Sequence, residues 1–319
     1  MKVLSFDTVI FLVIGIVVIL LASTYNISQA LAAFSNINLF YIFLAAVVWV
    51  LFIFSRFMPW SFVLRRLKMK VPFIKSMSMM IPFFGLAFIP SSVGQLLPLQ
   101  HLEEFKKESR FLSLGILLSL NSTYLLSIIA MAMITAIFVS NLVLYIVAIF
   151  AILYFFVSML KLSLFYKAID RYVVKPFKLK KRRFIKNVTK YLKQLEKNKS
   201  IFSQKDIITQ ILLFLPPLLL EASILYFALV ALNQSISFLS AVFIFSFSFS
   251  IGVLLFFFPG AIGPADASII TLLIISGVPG AIAVSADIIL RFFNTFLTIL
   301  VSYGVFLFSR RYMWSKKTV

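Results

Sequence analysis

The sequence predicts an all-α polytopic membrane protein with about six full transmembrane helices and two re-entrant helical hairpins arranged as an inverted repeat. Three observations support this fold class. The 319 residues are 62% hydrophobic and 13% charged, with a mean hydropathy of +1.08, whereas soluble domains carry about 25% charged residues. Apolar runs of transmembrane length recur along the chain. Two apolar runs are interrupted by Pro and Gly, at 90–94 and at 259–264.

Composition excludes several kinds of site and partner. The chain has no Cys and one His, His101, which excludes a disulfide and a multi-histidine metal site within one chain, and we expect no cofactor. The formal net charge is +20, but 15 of the 30 basic residues lie in the segment 161–206. This clustering is typical of cytoplasmic loops that contact anionic lipid headgroups, so we expect membrane lipids, and no nucleic acid, as partners.

The chain begins with two predicted spans. An apolar helix at 6–22 is expected to remain uncleaved, because no Ala-x-Ala cleavage site follows it. The second span, at 39–54, is followed by six Lys or Arg residues before position 76, which places its end in the cytoplasm. Trp49 and Trp60 flank this end and are expected to be interface anchors.

A re-entrant hairpin is predicted next. The run at 76–89 is shorter than the roughly 20 residues of a span, and it ends at the break Pro90-Ser-Ser-Val-Gly94. Together with 95–105 it predicts a hairpin that opens to the cytoplasm. Two further spans follow at 111–138 and 142–159.

The segment 161–206 separates the two halves. Apolar residues recur at helical spacing between Phe184 and Leu195, with Lys on the other faces. We expect this amphipathic helix to lie on the inner membrane surface.

The second half repeats the order of the first. The span at 207–232 contains Pro216-Pro217, and the run at 238–258 leads to the break at 259–264. A half-length helix at 265–276 completes a second hairpin, which opens to the outside. The last long helix is predicted at 281–308.

Charge distribution sets the predicted topology and domain organisation. The four candidate outer loops contain no Lys or Arg, so we expect a plasma-membrane protein with cytoplasmic N- and C-termini. We expect one integral membrane domain, 1–319. It comprises a first repeat at about 39–160, the basic segment 161–206 and a second repeat at about 207–319.

The two breaks resemble each other. Pro90-Ser-Ser-Val-Gly94 and Pro259-Gly-Ala-Ile-Gly263 share Pro-x-x-β-branched-Gly at an offset of 169 residues. Inverted repeats with broken helices near the midplane are an architecture of secondary transporters. A broken helix at membrane depth is tolerated where it is buried in protein or lines a wet cavity, so the breaks predict a substrate path.

Charged residues inside spans are the candidate site residues, since such groups are costly in lipid. Asp287 and Arg291 are four apart and share a helix face, so they either neutralise each other or Arg291 also binds a lipid phosphate. Asp266 either caps its half-helix or contacts the headgroup. Glu221 is expected to pair with an arginine, and Arg56 lies near a helix end, where it can extend to the interface. The complete set of predicted substrate-binding residues is Arg291, Asp287, Asp266, Glu221, Gly260, Gly263, Pro259, Gly94, Gln95 and Arg56; no catalytic or metal-binding residue is predicted.

A family resemblance rests on the second half. Pro259-Gly-Ala-Ile-Gly-Pro-Ala-Asp-Ala267, Leu272-Leu-Ile-Ile-Ser-Gly-Val278 and Ala286-Asp-Ile-Ile-Leu-Arg291 resemble the signature of the lysylphosphatidylglycerol synthase transmembrane domain, whose members are also called flippase-like membrane proteins. More loosely, Trp60–Leu67 and Pro90–Leu97 resemble that family's first half. Asp266 stands where the family usually has Glu, and Gln95 where Glu is common.

The resemblance implies a lipid translocator that moves a phospholipid or a polyprenyl-phosphate-linked headgroup, as in glycosylation and cell-envelope synthesis. No stretch resembles the family's soluble aminoacyltransferase domain, so a stand-alone member without lipid aminoacylation is expected. Two alternatives stay open: a lipid-modifying membrane enzyme, such as a glycosyltransferase or phosphatase, and a non-catalytic partner of an envelope-synthesis enzyme. A homo-oligomer is also compatible with the sequence.

Overall fold

The computed structural model describes residues 33–86, 110–139, 204–254 and 263–312. These residues are mostly helical, and no strand occurs among them. The predictions for the first span, both Pro-Gly breaks up to Ile262, the span at 142–159 and nearly all of the basic segment lie outside the described residues.

The described helices follow the apolar runs of the sequence. In chain order they are α1 (Leu39–Ser55), α2 (Phe57–Arg66), α3 (Phe73–Gly85), α4 (Arg110–Ala136), α5 (Gln204–Ala231), α6 (Phe238–Leu254), α7 (Pro264–Ile275), α8 (Gly280–Arg291), a π-helical segment (Phe292–Leu297) and α9 (Thr298–Tyr312).

Four helical stretches among the described residues are long and apolar enough to cross a membrane. They are Leu39–Arg66, Ser119–Ala136, Lys205–Ala231 and Gly280–Ser309. They correspond to four of the predicted spans, so the chain is a multi-pass membrane protein; the total of six spans stays a prediction. The shorter apolar helices are α3, α6 and α7, and all three fall in the predicted hairpin regions.

The bundle exposes large apolar side chains, and its mainly apolar interior also holds buried polar ones. One face of α1 exposes apolar side chains, among them Phe40, Phe43 and Phe54. The interior holds polar side chains, including Gln210 and Ser285, which are fully buried. Exposed apolar surface of this extent marks contact with a membrane or partner, and here it surrounds the bundle where lipid would lie.

Helices α1 and α5 pack against each other more extensively than any other pair, and they run antiparallel. At one end, the Asn38 N–H donates to the Ala231 carbonyl (2.9 Å), and Asn233 Nδ2 donates to the Asn36 carbonyl (3.2 Å). At the other end, Arg66 forms an ion pair with Asp206. Two predicted outer loops therefore meet at one end, and two predicted cytoplasmic segments meet at the other.

This arrangement gives a labelling test of orientation. The chain has no Cys, and Ser235 and Lys70 are both exposed, at opposite ends of the α1–α5 pair. In intact cells, Ser235→Cys is expected to react with a membrane-impermeant maleimide, and Lys70→Cys only after permeabilisation. Reversed labelling would overturn the predicted orientation.

Tryptophan burial corrects one sequence prediction. Trp60 is fully buried, and its Nε1 donates to Ser76 Oγ (3.0 Å) on α3. Trp49 Nε1 donates to Thr298 Oγ1 (3.0 Å). Both indoles therefore join helices inside the bundle, and the prediction of interface anchors was wrong for Trp60.

Helices α3 and α9 approach closely at Gly85. Ser302 Oγ donates to the Ile81 carbonyl (3.0 Å), and a Cβ added at Gly85 would lie 1.7 Å from Ser302 Oγ. The absence of a side chain at Gly85 allows this contact. A comparably extensive pairing joins α4 to α6.

The predicted last helix, 281–308, contains an irregularity that the sequence pattern did not indicate. Residues Phe292–Leu297 form a π-helical segment between α8 and α9. Thr298 Oγ1 donates to the Phe293 carbonyl (3.0 Å), which satisfies an acceptor within the altered turn. Such segments are rare and are frequent at functional sites.

Candidate functional site

Five of the predicted site residues form one charged cluster inside the bundle. Arg56 comes from the α1–α2 junction, Glu221 from α5, Asp266 from α7, and Asp287 and Arg291 from α8. Of these, Arg56, Glu221, Asp266 and Asp287 are each at most 7% exposed. The cluster therefore joins elements from both predicted repeats.

One half of the cluster is an arginine–glutamate pair. An Arg56 guanidinium nitrogen lies 3.8 Å from Glu221 Oε2, and the Tyr124 hydroxyl donates to the same oxygen (3.0 Å). The guanidinium also lies over the rings of Phe52 and Phe84, at 4.0 and 5.0 Å from their centroids. Aromatic faces attract cations, so Arg56 is held inside the bundle; the alternative that it extends to the interface was wrong.

The local sequence explains why Arg56 occupies this junction. Pro59 lacks an N–H and its ring crowds the carbonyl four residues earlier, at Ser55, which is where α1 ends. Helix α2 then restarts at Phe57. The interruption places Arg56 between two helices, facing α5.

The other half of the cluster is centred on Asp266. One carboxylate oxygen of Asp266 forms an ion pair with Arg291 Nε, and the other accepts the Gly263 N–H (2.6 Å). Gly263 has φ +93°, a conformation that side-chain-bearing residues rarely adopt. Asp266 therefore caps α7, as one sequence interpretation proposed, and also binds Arg291.

Asp287 completes this half. It interacts electrostatically with Asp266 and Arg291, and its buried Oδ1 has no hydrogen-bond partner among the described residues. The sequence spacing suggested a mutual Asp287–Arg291 pair, but the ion pair that the structure records joins Arg291 to Asp266. Arg291 also interacts electrostatically with Glu221, so the two halves are coupled.

A small, partly open cavity of about 10 Å³, room for a single water molecule, lies beside Arg56. Its polar lining comes from Arg56, Thr298 and Ser302, and α3 contributes apolar side chains, including Met80 and Phe84. The cavity thus has one cationic end and an otherwise mostly apolar lining.

Four of the predicted site residues are not among the residues that the structure describes. Gly94, Gln95, Pro259 and Gly260 lie outside the described residues. Gly263 is described, and its observed role is the backbone donor to Asp266.

Sequence reasoning missed Tyr124 and Asn294. Tyr124 follows Asn121-Ser-Thr, a polar run inside an apolar span, and Asn294-Thr295 interrupts the apolar last helix in the same way. Polar runs at membrane depth are the signal that would have identified both.

Comparison with known protein families gives a match over most of the chain. The family model described as the lysylphosphatidylglycerol synthase TM region matches residues 8–302. No curated protein matches the sequence. Because the matched region covers most of the chain and includes every charged residue of the cluster, this protein is a member of the lysylphosphatidylglycerol synthase TM region family, which indicates a membrane protein involved in lipid handling.

Proposed function

We propose that the protein is a flippase that moves a phospholipid or polyprenyl-phosphate-linked headgroup across the plasma membrane through a polar cavity between two re-entrant hairpins. The observation that carries this proposal is the buried cluster of two arginines and three carboxylates inside a membrane bundle. Each such group costs at least roughly 2.5–3.5 kcal/mol at the bilayer centre on insertion scales. A cluster of this size is more than the packing of apolar helices requires.

Arg291 is the proposed phosphate ligand, since a guanidinium binds phosphate through two parallel hydrogen bonds. The cluster brings three carboxyl groups to two arginines, and Arg291 is already paired with the Asp266 carboxylate. An anionic phosphate therefore binds well only by displacing a carboxylate. We propose that it exchanges with Asp266, whose carboxylate holds the guanidinium in place between transport events.

The helix packing supports the inverted repeat. The proposed repeat makes α1 the counterpart of α5, α3 that of α6, and α4 that of the last helix. Counterparts in an inverted repeat run in opposite directions across the membrane, and α1 and α5 pack antiparallel. If each helix is replaced by its counterpart in the other repeat, the contact between α3 and α9 corresponds to the contact between α6 and α4. Both of these contacts are extensive.

Reconstitution tests the proposal. Purified protein in liposomes is expected to move the headgroups of labelled anionic lipids between leaflets, and to return them chemically unchanged. The Asp266→Asn, Arg291→Gln double variant removes both charges of one ion pair, so it is expected to insert and fold but to move lipid at the protein-free rate. Chemically altered lipid would indicate an enzyme instead.

The chain offers a matched control. Arg66 and Asp206 form a second arginine–aspartate pair, in which the Arg66 side chain is 51% exposed. The Arg66→Gln, Asp206→Asn double variant makes the same chemical change away from the cluster and is expected to retain translocation. Equal translocation by the two double variants would overturn the role of Arg291.

A further inference from the structure

Asn294 is a buried amide outside the charged cluster. It is 1% exposed, and neither its Oδ1 nor its Nδ2 has a hydrogen-bond partner among the described residues. Leaving a buried polar group unsatisfied costs about 1–3 kcal/mol, so its retention needs an explanation. In native structures such groups often have a ligand, ion or water as partner.

The position of Asn294 relates it to both parts of the site. It lies in the π-helical segment, three residues after Arg291 and four before Thr298. Thr298 lines the cavity beside Arg56. Asp287, Asn294, Thr298 and Ser302 are all buried on the last helix, at spacings of seven, four and four. They form a polar stripe along the helix that carries Arg291, and its last two members line the cavity beside Arg56.

The partners of the neighbouring stripe residues are already known. Thr298 Oγ1 donates to the Phe293 carbonyl and accepts from Trp49, and Ser302 donates to the Ile81 carbonyl. Asn294 differs from these two in having both a donor and an acceptor unused by the described residues. A group that offers both is complementary to a hydroxyl.

We propose that Asn294 is a specificity-determining residue that hydrogen-bonds a hydroxyl of the headgroup, glycerol or sugar, while the phosphate engages an arginine. This inference rests on the proposed translocation function. The π-helical segment provides the position by bringing the amide onto the buried face. A choline headgroup has no hydroxyl and no N–H, so it cannot satisfy the amide.

The test compares Asn294→Leu with the unmodified protein in liposomes containing labelled phosphatidylglycerol or labelled phosphatidylcholine. The unmodified protein is expected to move phosphatidylglycerol faster. The variant is expected to show that preference reduced about tenfold, the size of one hydrogen bond of this kind, through slower phosphatidylglycerol movement alone; the part that remains comes from the net charge of phosphatidylglycerol. A variant that keeps the full preference would overturn the proposal, whereas an unmodified protein that moves neither lipid would overturn the translocation function itself.

Thermal unfolding in detergent separates a ligand-binding amide from a structural one. Asn294→Leu is expected to keep or raise the unfolding midpoint, because it replaces an unsatisfied amide with an apolar group. Ser127→Ala is the comparison: Ser127 is also buried, but its Oγ donates to the Ile211 carbonyl (3.1 Å), so its midpoint should fall. A fall of the same size for Asn294→Leu would show that the protein itself holds the amide, and would overturn the proposal.

Discussion

Replacing Glu221 with Leu is expected to lower the free energy of unfolding by about 3–5 kcal/mol, the cost of leaving one charge of a buried pair without its partner. Both side chains are well shielded, with 7% of Arg56 and 1% of Glu221 exposed. The substitution also leaves the Tyr124 hydroxyl without its acceptor. Equilibrium unfolding in mixed detergent micelles measures the change.

The double variant Arg56→Met, Glu221→Leu is the control for this prediction. Removing both partners of a buried pair in favour of apolar groups is often close to neutral, so the double variant is expected to be more stable than Glu221→Leu alone. If the two variants are equally unstable, the ion pair is not the cause of the loss. The double variant also lacks Arg56, the cationic end of the cavity. It should therefore translocate poorly despite its stability.

Gly85→Ala is expected to be strongly destabilising. The added Cβ would lie 1.7 Å from Ser302 Oγ, 2.4 Å from Ser302 Cβ and 2.9 Å from the Thr298 carbonyl oxygen. Helices α3 and α9 must separate to accommodate it. Overpacking of a core typically costs about 1–3 kcal/mol, and this contact also lines the Arg56 cavity, so both the unfolding midpoint and translocation should fall.

Gly304→Ala is the matched control, because it makes the same change on α9, where nothing lies within 4 Å of the new Cβ. Glycine inside a helix is less favourable than alanine by about 1 kcal/mol, so this variant is expected to be neutral or slightly more stable. Ser302→Gly should partly rescue Gly85→Ala by removing the nearest atoms. Failure of that rescue would show that the backbone at Thr298 sets the limit.

The sequence was sufficient for several of the described helices. Apolar length and turn residues placed α5 at 207–232, where the structure has Gln204–Ala231, and the half-helix at 265–276, where it has Pro264–Ile275. These helices depend on the local conformational preferences of their residues and on the need to satisfy every backbone hydrogen bond in lipid. Both can be inferred from the order of apolar and turn-forming residues.

The sequence did not indicate which residues of the cluster pair with each other. The spacing of Asp287 and Arg291 correctly indicated a shared face, but the recorded ion pair of Arg291 is with Asp266, on another helix. Which of two carboxylates an arginine contacts depends on tertiary distances that periodicity does not contain. The cost of isolated charge in lipid predicted that charges would assemble, and they do, without predicting which atoms meet.

The π-helical segment between Arg291 and Thr298 fixes the rotational phase between the two ends of the last helix. Each residue of an α-helix accounts for about 100° of rotation. Deleting one residue from Phe292–Leu297 would restore an ordinary helix and turn everything beyond it by about that angle, moving Ser302 away from the Ile81 carbonyl while leaving Arg291 beside Asp266. The number of residues between Arg291 and Thr298 therefore sets how the two arginine sites are oriented relative to each other. Small insertions or deletions in this one segment would therefore change the position of Ser302 and Thr298 relative to Arg291 more than most side-chain substitutions.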